Sequence, residues 1–142
     1  MNILEALALY LHSRSIGVYR DSGSPIRESE VGIFLERMPP EPSRVIVIAA
    51  YEGISSDSKL PYDLPRIQFM VRGSRNPADS REIAQSIYDL FHGFGPSNVF
   101  GIGVQLILGL FSGPVYAGID RNELNVHTVN IEVEFKNPNR RM

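Results

Sequence analysis

The chain is 142 residues long with 43% hydrophobic residues, which suits one ordinary globular domain around one core. It contains no cysteine, which excludes disulfides, cysteine-ligated zinc and thiol catalysis. A formal net charge of -2 argues against general electrostatic attachment to nucleic acid, and no run reaches the roughly 18 continuous apolar residues of a membrane span.

The first residues, Met1-Asn2-Ile3-Leu4-Glu5, have no basic region ahead of their apolar ones, so a secretory signal is not expected and a soluble intracellular protein is. Leu4, Leu7, Ala8 and Leu11 recur at helical spacing and predict a helix over residues 2–13, with Asn2 as its cap. Gly17-Val18-Tyr19 suggests a short strand, and Asp21-Ser22-Gly23-Ser24-Pro25 a turn-rich loop. Val31, Ile33 and Leu35 alternate as a strand, which Met38-Pro39-Pro40-Glu41-Pro42 ends because proline has no N–H for a ladder. Residues 44–51 (Arg44 to Tyr51) are apolar on both faces and rich in β-branched side chains, which predicts a central strand.

From Glu52 to Pro65 no period is visible, and a loop of that length predicts either a functional segment or a mobile one. Ile67, Phe69 and Val71 then alternate with polar neighbours in a half-buried strand. The clearest helix signal follows. Asn76 is a good N-cap, Pro77 suits the first helical position, Asp79 complements the first turn, and Ile83, Ile87, Leu90 and Phe91 form an apolar stripe that Gly93 can end. Val104 to Phe111 is a strongly apolar strand. The last strand has the cleanest alternation: Val129, Ile131, Val133 and Phe135 on one side, Thr128, Asn130, Glu132 and Glu134 on the other. Two striped helices need a sheet face to pack on. The expected fold is therefore α+β: a two-layer sandwich of an antiparallel or mixed sheet with both helices on one face, in a single domain over residues 1–142. Residues 137–142 should fray.

The pattern carries no catalytic signature. His12, His92 and His127 stand far apart and in no metal-ligand spacing, and the carboxylates are scattered. Gly93 to Gly113 is glycine-rich but lacks the phosphate-loop pattern, and no nucleophile elbow is present. Arg72/Arg75 and Arg140-Arg141 are the densest basic pairs, and neither makes a patch with interleaved aromatics. No catalytic residue, cofactor or metal is expected, and the protein is read as non-enzymatic.

The C-terminal stretch carries a resemblance. Pro114 and an apolar pair, a Gly118-x-Asp120 turn, Asn122, and a final strand with Asn130 inside an apolar/acidic alternation resemble the end of phage minor capsid and tail-terminator proteins of the lambda-like type. The order of elements upstream is similar too. In this chain the turn reads Asp120-Arg121-Asn122-Glu123, without the expected glycine. The resemblance implies a virion structural protein of the tail or neck, assembled in the host cytoplasm. It implies a homo-hexameric ring that ends tail-tube polymerisation and joins the tail to the head connector. The implied partners are other copies of the chain, the tail tube protein and a head-completion or connector protein. No membrane and no sequence-specific nucleic acid are implied, although DNA would pass through the ring.

Polarity and lack of core periodicity single out the residues expected at assembly interfaces: Asp57, Lys59 and Tyr62 in the long loop, Arg72 and Arg75 ahead of the second helix, and Asp120, Arg121 and Glu123 in the last turn. Two alternatives stand beside this reading. One is a head-completion or neck adaptor protein that binds on the portal side. The other is a small α+β enzyme or ligand-binding domain, recognisable by a concave pocket with converging polar groups.

Overall fold

The computed structural model describes residues 2–20, 25–56 and 58–138. Asp57, most of the Asp21–Pro25 loop and the Arg140-Arg141 pair lie outside the described residues. Among the described residues two helices and seven strands follow in the order α1 (Ile3–Ser13), β1 (Gly32–Leu35), β2 (Val45–Ile54), β3 (Tyr62–Arg72), α2 (Pro77–Phe91), β4 (Ser97–Val99), β5 (Ile102–Gly109), β6 (Val115–Ile119) and β7 (Asn125–Lys136). The fold is α+β.

Both helices start as their caps dictate. Asn2 accepts from the Glu5 N–H at 2.9 Å while the Glu5 carboxylate reaches back to the Asn2 N–H, a reciprocal box that satisfies two orphan donors. Asn76 accepts from the Ala78 N–H at 3.1 Å, and Pro77 opens α2 where no N–H is needed. Gly93, at φ +79°, turns the chain after α2, and its N–H donates to Ile107 O.

The seven strands form one mixed sheet in the order β1-β2-β3-β7-β5-β4, with β6 also paired to β7. Among the named strands of the described residues, β1 and β2 run parallel and the other pairs are antiparallel. β7 is the hub. One of its edges pairs with β3, while the other pairs with β6 at its start (Val115↔Thr128) and β5 towards its end (Ile107↔Val133). The chain manages this by kinking between β5 and β6, where Phe111 (φ 61°) and Ser112 (φ 58°) enter the left-handed region.

Register assigns the faces. Ile46, Ile48, Ile67, Phe69, Val71, His127, Val129, Ile131 and Val133 point one way, and α2 covers that face, with the Phe91 ring stacked 5.5 Å from Phe69. Leu4, Leu7 and Leu11 of α1 join the same buried cluster, and the Tyr10 ring sits 5.9 Å from Phe91.

Four expectations need correction. Half of the Glu52–Pro65 loop is strand. β2 runs to Ile54 and β3 begins at Tyr62, so the connection shrinks to 55–61. A bulge between Ala50 and Gly53 lets Gly53 face Pro65, whose missing N–H is tolerated where the ladder to β7 skips residues 64–65; that irregularity erased the period. β2 is not the central strand but second from the edge, and the middle belongs to β3 and β7. Its double-sided apolarity reflects burial on both faces of Val45–Ile48 all the same. Gly17–Tyr19 makes only an isolated parallel bridge, Val18↔Gly32. The strand expected over Val104–Phe111 runs from Ile102 to Gly109, because the kink takes its last two residues.

Candidate functional site

Five of the expected interface residues gather at one end of the sheet, where β3 ends, α2 begins and β6 turns into β7. Ser74 O accepts from both the backbone N–H (2.9 Å) and the side-chain amide (3.1 Å) of Asn125, which ties the β3–α2 junction to the start of β7. The 120–124 turn is built on Asp120. Its carboxylate accepts from the Asn122 and Leu124 N–H groups at 2.9 and 3.0 Å, and Glu123 itself takes the positive φ (63°) that a glycine would otherwise supply. The turn therefore needs no glycine. Arg121 and Glu123 project from it into solvent, and Arg75 is exposed beside it.

Arg72 has a different place. It is only 5% exposed, and its guanidinium donates to the carbonyls of Pro39 (2.9 Å), Pro40 (3.2 Å), Pro42 (2.9 Å) and Ser43 (2.9 Å), with Asp120 3.7 Å away. The parallel pairing of β1 and β2 requires the chain to return over the sheet within residues 36–44, a short crossover with no helix of its own. Three prolines there leave carbonyls without a ladder, and one planar five-donor fork collects them. Arg72 thus builds the surface from beneath.

Lys59 and Tyr62 lie at the opposite end of β3, in and beside the β2–β3 connection. With β3 eleven residues long, the two clusters stand roughly 33 Å apart. Exposed Leu60 and Tyr62 flank this end, and Asn137 locks the connection to the end of β7, its N–H donating to Pro61 O at 2.7 Å.

Exposed apolar side chains also stand elsewhere, on residues the pattern assigned to apolar strands. Leu106 and Leu108 are 41% and 42% exposed on the face away from α2, and Phe111 is 72% exposed at the kink. On β6, Tyr116 (54%) and Ile119 (59%) stand out on the α2 side. A double-sided apolar run at Val104–Phe111 was the available signal, because among the described residues one of its faces is left uncovered at Leu106 and Leu108.

A cleft of about 610 Å³ opens between α2 and β6, with Tyr116, Arg81 and His127 among its walls. Beneath it Ser80 Oγ and His127 Nδ1 share a 2.7 Å hydrogen bond. Burial, followed by the nearby Arg81 charge, lowers the His127 pKa, which favours the neutral ring. This is a serine–histidine pair without nucleophilic reach, since Ser80 is wholly buried. The other two histidines accept from the backbone instead. His12 Nδ1 accepts from the Tyr19 N–H at 3.0 Å, and His92 Nδ1 from the Gly109 N–H at 2.9 Å. Among the described residues no group of three His, Cys, Asp or Glu side chains is placed to hold a metal. A second open depression, about 470 Å³, lies along the β2–β3 hairpin by Tyr51 and Asp63.

Comparison with protein families matches residues 10–137, nearly the whole chain, to a family described as bacteriophage tail terminator protein. No curated protein matches the chain.

Proposed function

The chain belongs to the bacteriophage tail terminator family, a structural family of the virion, and from that premise we propose that it closes into a six-membered ring. The ring stops tail-tube polymerisation and joins the tail to the head connector, which puts the protein in the tail or neck. The family match over residues 10–137 carries this reading.

The geometry supports it. The two polar clusters at opposite ends of β3, one with Arg75, Arg121 and Glu123 and the other with Lys59 and Tyr62, offer separate surfaces to a tube protein on one side and a connector protein on the other. The exposed apolar residues of β5 and β6 serve contacts between copies. With this goes the finer architecture of two layers, both helices on the Phe69 face, which the shared core and the Tyr10–Phe91 contact favour.

The test has two parts. Light scattering on the purified chain over a range of concentrations should reach a mass of six copies, alone or with tube protein present. Added protein should also arrest growing tail tubes at defined length. Tubes that elongate unchanged in its presence would overturn the reading.

A further inference from the structure

We infer that the contact between neighbouring copies seats the β5–β7 face of one subunit in the β6–α2 cleft of the next. This rests on the ring reading above and names the surfaces that make it.

The first surface is apolar and carries Glu134 as a carboxylate open to a partner, with exposed Lys136 two residues on along the same face of β7. Leu106 and Leu108 lie directly across from Glu134 and Glu132, so two exposed leucines and two carboxylates share one patch away from α2. Glu132 is held by Arg66 at 3.5 Å, whereas exposed Glu134 has no ion pair among the described residues. The second surface is apolar and basic. Tyr116 and Pro114 form one wall of the cleft and α2 the other, with exposed Arg81 at its rim and exposed Ile119 further along β6 on the same sheet side. Arg81 has no ion pair among the described residues either; its neighbour His127 is biased by burial towards the neutral form. The His127 Nδ1 is occupied by Ser80.

The two surfaces match in chemistry and differ in place. A contact of either with itself would set Glu134 against Glu134 or Arg81 against Arg81, which costs energy once water is excluded. A contact of one with the other pairs a carboxylate with a guanidinium and covers leucine with tyrosine and isoleucine. The surfaces occupy opposite sheet faces and opposite halves of β7, so one subunit can use both at once. That is a heterologous contact, the kind that closes rings. Simple strand addition along β6 is disfavoured, because the bulge between Tyr116 and Gly118 breaks the regular edge.

The natural absence of cysteine makes the test direct. Leu106→Cys and Tyr116→Cys are made singly in the full chain, mixed, and oxidised. The expected result is a cross-linked dimer from the mixture and none from either variant alone. The double variant should give a ladder of cross-linked species ending at the ring size. Arg81→Glu should abolish the cross-link, and adding Glu134→Arg on the same chain should restore it. A cross-link from Leu106→Cys alone would overturn the inference, as would no cross-link from the mixture. If the mixture fails to cross-link while the untouched protein has the mass of six copies, the ring stands and this contact falls. A ladder that ends at another number keeps the contact and corrects the ring.

Discussion

Replacing Arg72 by alanine tests whether one side chain holds the β1–β2 crossover in place. The guanidinium serves four carbonyls at 2.9 to 3.2 Å, and two of those hydrogen bonds, to Pro39 and Pro42, are fully buried. A buried group left unsatisfied costs about 1–3 kcal/mol, so two stranded carbonyls cost roughly 4 kcal/mol. The carbonyls of Pro40 and Ser43 regain water and add little. For a domain of this size about 4 °C of Tm accompanies each kcal/mol, so the midpoint should fall by about 15 °C in thermal unfolding followed by circular dichroism. Arg72→Lys should recover only a part, because a compact ammonium cannot span four acceptors. Asp120→Asn should cost about 1 kcal/mol or less, since the pair is long and the carboxylate partly wet, and the amide oxygen can still accept in the turn. An alanine variant within about 1 kcal/mol of the parent would refute the pinning argument. So would an Asp120→Asn variant as damaged as the alanine one, because the ion pair would then be the dominant interaction.

The His127 pKa is lowered in the folded state by burial and by Arg81, so the unfolded chain binds more protons below the model value of 6.5. Stability should therefore fall as pH drops from about 6.5 towards the folded pKa, and His127→Gln should remove that part of the slope in urea titrations compared at several pH values. Asn76→Ala removes the cap of α2 and should cost about 1 kcal/mol by denaturant unfolding, a loss Asn76→Ser should largely avoid. Phe69→Ala takes a wholly buried ring from its stack on Phe91 and should cost about 3–5 kcal/mol, measured in the same way. Gly95→Ala meets the Gln105 carbonyl at a backbone φ of +114°, so it should destabilise by more than the roughly 1 kcal/mol of an ordinary glycine replacement, visible as a lower urea midpoint.

Local signals were legible wherever the governing interaction spans a few residues. Asn76, Pro77 and the stripe through Phe91 specify α2 because capping and helical bonds reach only three or four positions along the chain. The alternation from Thr128 to Phe135 specifies β7 because a strand reverses its side chains at every step. The end of phage tail-terminator type was readable in Pro114, Gly118, Asp120, Asn122 and Asn130, and the family match agrees with it. Tertiary structure decided what depends on distant partners. Arg72 looks like a surface base in the sequence, and only the crossover some thirty residues upstream buries it beneath four carbonyls. Ser80 and His127 meet across 47 positions. The hairpin inside Glu52–Pro65 had no period because its bulge and Pro65 break the alternation that reveals a strand. Leu106 and Leu108 read as core because apolarity does not say whether a covering layer exists. That depends on which face of the sheet α2 packs against, and hydrophobic burial is a property of the assembled layers rather than of the strand.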